Sequence, residues 1–257
     1  MKQLPNFFTL LNLVFGCLAI VCILQTGLTL TVDENTGENL VIIPEKIYLA
    51  SVFIGCAAVI DFLDGFIARW LKATSDIGKQ LDSLADVVSF GIAPGMIVYE
   101  FLRMSFAQQP DGLDVNVAWL VPAFLIPCCG AYRLARFNVD TEQSLGFKGV
   151  PIPAAGLFIA SFPLIYWYSN STLIINILIN QWFWYAIIFI VCYLMISTLP
   201  MMAMKFTNPS TKKLFPFIIL AIIAIISAFI FQWISVPITF AAYVILSLFI
   251  KQKTHDI

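Results

Sequence analysis

The sequence predicts an all-α integral membrane protein, a bundle of about eight transmembrane helices with its active site facing the cytoplasm. Of 257 residues, 60% are hydrophobic and only 11% are charged, against roughly 25% charged in a soluble domain. The mean hydropathy is +0.92, and the apolar stretches approach the roughly 20 residues that cross a bilayer. No sizeable soluble domain fits beside them, and a formal net charge of -1 argues against nucleic acid as a partner.

Eight apolar segments separated by short polar breaks predict the helices in chain order. Pro5 fits the opening turn of the first helix, and Pro44 precedes the second. Residues 29–45 alternate apolar and polar side chains around Asn35-Thr36-Gly37, which predicts a small β-hairpin between these two helices. The predicted helices span residues 5–27, 46–71, 77–103, 115–138, 152–169, 181–204, 212–231 and 234–251.

The distribution of basic residues predicts the orientation, because cytoplasmic loops of membrane proteins are enriched in Lys and Arg. When the loops are placed on alternating sides, one side receives twelve of the 14 basic residues, and the other receives only Lys46 and Arg103. Both termini are therefore expected on the cytoplasmic side. The twelve are Lys2, Arg69, Lys72, Lys79, Arg133, Arg136, Lys148, Lys205, Lys212, Lys213, Lys251 and Lys253.

Four aspartates interrupt two apolar helices: Asp61, Asp64, Asp82 and Asp86. A charged side chain costs roughly 2.5–3.5 kcal/mol at the bilayer centre, so four unpaired acids need partners or water. At 3.6 residues per turn the first two share one face of the second helix, and the last two share one face of the third. A short link folds these helices into an antiparallel hairpin, so both acidic faces are expected to meet at the cytoplasmic end.

Carboxylates without histidine or thiolate are hard oxygen ligands, suited to Mg²⁺, Mn²⁺ or Ca²⁺. The only histidine, His255, lies in the polar tail, and the six cysteines lack metal-site spacing. Proton transfer must therefore use carboxylates. Such metals usually complete their coordination with substrate phosphates. Gly65 and Gly78 would let a nucleotide approach the backbone, Ser75 is a candidate N-cap, and Arg69 adds a cation.

The complete pattern is Asp61-x-x-Asp64-Gly65-x-x-Ala68-Arg69, eight residues, then Gly78-x-x-x-Asp82-x-x-x-Asp86. It resembles the signature of the CDP-alcohol phosphotransferases at every position. The flanking segments LPNFFTLLNLVFGCLAI (4–20), SFGIAPG (89–95), RLARFN (133–138) and GVPIPAAGL (149–157) resemble the bacterial and archaeal members that use serine. The resemblance implies one membrane domain over 1–257, with a family core at 1–170 and additional C-terminal helices at 181–251.

The resemblance also implies roles for individual residues. The four aspartates would hold two divalent cations, Mn²⁺ or Mg²⁺, and Asp86 would be the general base. The substrates would be CDP-diacylglycerol and L-serine, in a homodimer in the inner membrane of a prokaryote, among membrane lipids. Nucleotide contacts would come from Asn6, Thr9, Gly65, Ala68, Arg69 and Ser75. Gly78 is added because its position would let a nucleotide approach the backbone.

Arg133, Arg136 and Asn138 are the candidates for binding the acceptor alcohol, because they lie near the cytoplasmic end of the fourth helix. An arginine fork suits the carboxylate of serine. Positive-inside anchoring is the alternative role for both arginines. Two alternatives to serine transfer stay open. One is the same chemistry with glycerol 3-phosphate or inositol phosphate, and the other is an ion or proton-coupled transporter, since intramembrane carboxylates also mark carriers.

Overall fold

The computed structural model describes residues 4–25, 29–32, 39–42, 46–71, 75–109, 114–139, 147–202 and 211–249. These residues are predominantly α-helical, as the composition predicts. The helices are α1 (Leu4–Leu24), α2 (Ile47–Trp70), α3 (Asp76–Asp86), α4 (Ala93–Ala107), α5 (Leu125–Val139), α6 (Ile152–Tyr168), α7 (Thr172–Leu178), α8 (Gln181–Ile196), α9 (Thr211–Phe231) and α10 (Ser235–Phe249). The strands are β1 (Thr29–Val32), β2 (Asn39–Ile42), β3 (Phe147–Lys148) and β4 (Pro200–Met201).

Within the described residues, five segments are long and apolar enough to cross a membrane: Pro5–Leu24, Ile47–Trp70, Asp76–Ala107, Val117–Val139 and Phe215–Phe249. The pair α7 and α8 makes a sixth if this helix pair, bent by 65°, is counted as one span. The remaining apolar helix, α6, has 17 residues. The all-α membrane class is therefore confirmed, whereas the count of eight transmembrane helices is not.

The predicted third helix is interrupted by a π-helical turn at Val87–Ile92, which joins α3 to α4. Such turns insert an extra residue into an α-helix and occur frequently at functional sites. The turn packs against α1, where Ser89 Oγ donates a hydrogen bond of 3.0 Å to the backbone oxygen of Asn12. Gly16 lies one helical turn further along α1, and a Cβ added there would collide with the Ser89 side chain. The missing side chain therefore lets α1 approach the π-helical turn closely.

The core on the side opposite the aspartates is aromatic. The Phe101 and Trp184 rings stack with centroids 4.6 Å apart, and Phe162 meets Trp184 edge-on at 5.2 Å. The buried indole also donates a hydrogen bond of 2.6 Å from Nε1 to the backbone oxygen of Leu178. This contact fixes the bend between α7 and α8. The short helix α7 was not predicted, since 172–178 carries the same apolar composition as its neighbours.

Two predicted helices are shorter than expected. The segment 115–138 begins with 3₁₀ turns at Val117–Trp119 and Val121–Phe124, and its α-helix starts only at Leu125. Pro122 and Pro127 lack the N–H groups that a regular helix would use there. The segment 181–204 ends as a helix at Ile196, because Pro200 disfavours helical backbone in the residue before it.

The short strands close the loops on both sides of the bundle. The predicted hairpin between α1 and α2 is confirmed, since β1 pairs with β2 in antiparallel register, with Thr29 opposite Ile42. Its predicted turn, Asn35-Thr36-Gly37, lies outside the described residues, as does the link 72–74 between α2 and α3. On the side of the aspartates, β3 pairs with β4, with Phe147 opposite Met201. This second pair ties the start of α6 to the end of α8.

The C-terminal segment packs back onto α6 and β4. At one end of the bundle the rings of Trp233 and Tyr168 lie 6.2 Å apart. Further along α10, Phe240 stacks on Phe158 of α6 at 4.4 Å. At the opposite end Ser247 Oγ accepts a hydrogen bond of 3.3 Å from the backbone N–H of Met202. The C-terminal helix therefore reaches the same end of the bundle as β4.

Candidate active site

Three aspartates from two helices converge to form a carboxylate cluster. Asp61 and Asp64 lie on α2, and Asp82 lies on α3. One ligand oxygen from each can be chosen so that all three lie within 4.8 Å of one another. The spacing of three residues on α2 places both of its acids on the face towards α3. The predicted convergence of the two acidic helix faces is therefore observed for these residues.

The fourth aspartate, Asp86, ends α3 where the π-helical turn begins. Only 6% of Asp86 is exposed. Its carboxyl group is in hydrogen-bonding contact with that of Asp61 and accepts a bond of 3.4 Å from Nδ2 of Asn12. Two carboxyl groups keep such a contact only with a shared proton or a bridging cation, since like charges repel. Among the described residues no ion pair neutralises the four acids, so they favour a bound proton or cation.

The first helix supplies polar contacts to the cluster. Thr9 is buried, and its hydroxyl lies 2.9 Å from Oδ2 of Asp64 and 3.1 Å from the backbone oxygen of Pro5. Thr9 was predicted as a nucleotide contact, and the structure places it beside an aspartate. Asn12, one turn further, was not predicted. Its signal in the sequence is a second polar residue three positions after Thr9, on the same face of an apolar helix.

The start of α3 lies against the start of α1. Ser75 is the N-cap of α3, as predicted, and its Oγ accepts a hydrogen bond of 3.0 Å from the backbone N–H of Gly78. A Cβ added to Gly78 would lie 3.0 Å from Oδ1 of Asn6. The structure therefore brings Asn6, Ser75 and Gly78 together. A Cβ added to Gly65 would meet nothing within 4 Å, so this glycine faces open space.

The other two predicted nucleotide contacts, Ala68 and Arg69, follow Gly65 on α2. Ala68 is half-buried and Arg69 is exposed. Arg69 lies in the last turn of α2. Both positions therefore lie between the acidic residues and the C-terminal end of α2.

Arg133 is the acceptor candidate whose side chain is buried, whereas Arg136 is half-buried. Only 5% of Arg133 is exposed, and its Nε has no hydrogen-bond partner among the described residues. Within the described residues the one ion pair joins Arg103 to Glu100, both on α4, and does not involve Arg133. The Arg133 charge nevertheless lies close enough to Asp86 and Tyr243 to interact with both. Burial of a cation is costly, and a nearby anionic group offsets that cost.

The other two acceptor candidates are engaged by protein groups. Arg136 donates hydrogen bonds to the backbone oxygens of Ile196 (2.8 Å) and Ser197 (3.2 Å), at the end of α8. Cations at a helix C-terminus stabilise its exposed carbonyl groups. Asn138 donates from Nδ2 to Ser83 Oγ at 2.8 Å and so ties α5 to α3. The terminal guanidinium nitrogens of Arg136 and the amide nitrogen of Asn138 therefore already have protein partners, although Nε of Arg136, like that of Arg133, has none among the described residues.

Tyr243 of α10 borders the same region and was not predicted, because the sequence of the last helices is uniformly apolar. Its hydroxyl donates a hydrogen bond of 3.4 Å to the backbone oxygen of Met202. A second bond, from Ser247 Oγ to the backbone oxygen of Tyr243 at 2.7 Å, holds this turn of α10. The C-terminal helix therefore contributes a polar side chain beside Arg133.

Comparisons with known proteins agree with this arrangement. A family model described as CDP-alcohol phosphatidyltransferase matches residues 2–182. The CDP-diacylglycerol–serine O-phosphatidyltransferase of Bacillus subtilis is 31% identical over 166 residues, which cover 65% of this chain and 78% of that protein.

In two further relatives the match covers a smaller share of the relative's length. The protein of the same name from Methanocaldococcus jannaschii is 35% identical over 175 residues, which cover 68% of this chain and 66% of the relative. The archaetidylserine synthase of Methanothermobacter thermautotrophicus is 33% identical over 170 residues, which cover 65% of this chain and 60% of the relative. The chain therefore spans slightly less than two thirds of these two relatives.

Proposed function

Because the chain belongs to the CDP-alcohol phosphatidyltransferase family, we propose that it transfers the phosphatidyl group of CDP-diacylglycerol to the hydroxyl of L-serine. The products are phosphatidylserine and CMP. The observation that carries the proposal is the convergence of Asp61, Asp64 and Asp82, with Asp86 in contact with Asp61. Serine is favoured over glycerol 3-phosphate and inositol phosphate because serine is the alcohol in the names of the relatives.

The donor set of the cluster fits a hard divalent cation. It consists of carboxylate oxygens alone, and no ion pair within the described residues neutralises it. We assign Asp61, Asp64, Asp82 and Asp86 as the residues that hold Mn²⁺ or Mg²⁺, two ions per site. Bound there, the ions would stabilise negative charge that develops on the phosphate oxygens.

Asp86 is assigned as the general base. In this mechanism its carboxylate takes the proton of the serine hydroxyl, and the serine oxygen attacks the phosphorus that carries diacylglycerol. The bond from that phosphorus to the CMP oxygen breaks, and CMP leaves with the electron pair. Burial of Asp86, which is 6% exposed, keeps bulk water away from the base and so favours transfer to serine over hydrolysis.

Arg133 is assigned to the carboxylate of serine. Its guanidinium lies near Asp86, is almost completely buried and lacks a hydrogen-bond partner at Nε. A planar fork of donors suits a carboxylate, which can accept two parallel bonds. Arg136 and Asn138 are then supports of this pocket, since Arg136 caps α8 and Asn138 links α5 to α3.

The nucleotide is proposed to lie over the starts of α1 and α3. The N–H groups of a helix start attract phosphate, and the open space beside Gly65 admits the ligand. Thr9 supports this region through its bond to Asp64. The residues assigned to CDP-diacylglycerol are Asn6, Thr9, Gly65, Ala68, Arg69, Ser75 and Gly78.

The protein is a membrane protein, and its orientation and surroundings are part of the proposal. The asymmetry of basic residues favours both termini on the cytoplasmic side of a prokaryotic inner membrane. There, soluble serine and CMP exchange with the cytoplasm, and the lipid substrate and product stay in the bilayer. We further propose a homodimer, a single membrane domain over 1–257, a family core at 1–170 and additional helices at 181–251.

An acceptor panel tests the proposal. The purified protein would be incubated with CDP-dioleoylglycerol, Mn²⁺ and either L-serine, glycerol 3-phosphate or inositol phosphate, and the lipid product identified by mass spectrometry. The proposal predicts phosphatidylserine and an equal amount of CMP. A different lipid product would reassign the acceptor, and no CMP release with any alcohol would favour the transporter alternative.

A further inference from the structure

Asn12 carries an unpaired acceptor inside the site. Its side chain is fully buried, and its Nδ2 donates a hydrogen bond of 3.4 Å to Oδ1 of Asp86. The other end of the carboxamide, Oδ1, is buried and has no hydrogen-bond partner among the described residues. Buried polar atoms without partners are uncommon and call for an explanation.

The orientation of this amide follows from its neighbours. Only the nitrogen end of a carboxamide can donate to the carboxylate of Asp86, so the oxygen end is left for another donor. The backbone of Asn12 is held by the hydroxyl of Ser89, and α1 packs closely on that residue at Gly16. These contacts hold α1, and with it Asn12, in place. Because Oδ1 and Nδ2 are bonded to the same carbon atom, the free oxygen lies directly beside the nitrogen that contacts Asp86.

The free oxygen suits a cationic donor. An ammonium group has three N–H donors and no acceptor, and a neutral amide binds it without adding a fifth negative charge to the cluster. In serine the hydroxyl and amino groups are on adjacent carbons. A group that binds the amino nitrogen must therefore lie beside the base that receives the hydroxyl proton. Asn12 meets this condition because the same carboxamide contacts Asp86.

We infer that Oδ1 of Asn12 accepts a hydrogen bond from the ammonium group of the acceptor, and that Asn12 selects alcohols with an adjacent amino group. This inference rests on the proposed transfer to serine. Together with Arg133 on the carboxylate and Asp86 on the hydroxyl, it gives three contacts that orient one small substrate.

The test compares L-serine with 3-hydroxypropanoate, which has the same hydroxyl and carboxylate but no amino group. The wild-type protein should prefer serine in kcat/KM by at least about tenfold, the range for a hydrogen bond to a charged group. Asn12→Ala and the near-isosteric Asn12→Leu should reduce this preference by about tenfold to a hundredfold. If 3-hydroxypropanoate gives too little product, its inhibition constant against serine replaces kcat/KM.

Ser89→Ala is the control variant, because it removes the hydrogen bond to the Asn12 backbone and keeps the side-chain amide. It should leave the preference for serine unchanged. An equal fall with both acceptors in the Asn12 variants would overturn the inference, because Asn12 would then only position Asp86. A wild-type protein without preference, or an equal loss of preference in Ser89→Ala, would also overturn it. Failure of the proposed function looks different, since the wild type would then release no CMP with serine.

Discussion

Replacement of Arg133 by alanine is expected to weaken serine binding without weakening CDP-diacylglycerol binding. The two ligands contact different helices in this account. The nucleotide lies over α1, α2 and α3, and the serine carboxylate meets the guanidinium on α5. Arg133 is 5% exposed and lacks a partner at Nε, so the substrate carboxylate would be its main anionic partner.

The expected size follows from this burial. A hydrogen bond to a charged group contributes about 1.5–3 kcal/mol, and about 1.4 kcal/mol corresponds to a tenfold change in an equilibrium constant. Solvent screening does not reduce this value much at a site so little exposed. Arg133→Ala should therefore raise the serine KM by about tenfold to a hundredfold. Arg133→Lys should restore part of the loss, since lysine keeps the charge and lacks the planar fork.

Arg136→Ala is the matched control, since it removes the same side chain three residues along α5. Its guanidinium binds the backbone oxygens of Ile196 and Ser197, so its loss should lower stability by about 1 kcal/mol. The serine KM should stay within about twofold, well below the change expected for a lost charged contact. The assay is CMP release at varied serine and saturating CDP-diacylglycerol, with thermal unfolding measured on the same samples.

The opposite pattern would refute the reasoning. If Arg133→Ala keeps the wild-type serine KM, this arginine only anchors the helix, and the carboxylate has another receptor. If Arg136→Ala raises the serine KM as strongly as Arg133→Ala, the difference in hydrogen bonding between the two residues does not decide which one binds substrate.

Three further results are expected. Asp82→Asn should raise the Mn²⁺ concentration needed for half-maximal activity by at least about tenfold, because it removes a ligand charge, whereas Asp76→Asn, an exposed acid on the same helix, should not. Gly149→Ala should lower the free energy of unfolding by at least about 1–2 kcal/mol, measured by thermal or denaturant unfolding. The reason is that Gly149 has a φ of +77° and an added Cβ would lie 2.5 Å from the backbone oxygen of Met195. In a variant without native cysteines, an impermeant thiol reagent applied to intact cells should label a cysteine at position 35 and not at position 208; the reverse would refute the orientation.

The carboxylate cluster could be predicted from the sequence because its geometry is local. Residues three or four apart on a helix share a face, and α2 ends at Trp70 only a few residues before α3 begins at Asp76. Asp61, Asp64 and Asp82 thus needed no information about the rest of the fold. The same holds for the Ser75 N-cap, since the side chain and the Gly78 N–H that it binds are three residues apart.

The contacts between distant segments could not be predicted in this way. Arg133 and Arg136 have the same chemistry and nearly the same position on α5, and only the end of α8 distinguishes them. That end depends in turn on Pro200, which shortens the helix predicted over 181–204. Asn12 reaches Asp86 because α1 packs closely on the π-helical turn. That turn has no clear signature in the sequence.

The most direct test of the central claim compares the wild type with Asp86→Asn in one assay. Purified protein would be given CDP-dioleoylglycerol, L-serine and Mn²⁺, and both CMP and phosphatidylserine would be measured over time. The wild type should form them in equal amounts. The Asp86→Asn variant should form both at least about a hundredfold more slowly, the contribution typical of a general base, while still binding CDP-dioleoylglycerol. Wild-type rates in this variant, or CMP release without phosphatidylserine from the wild type, would contradict the account.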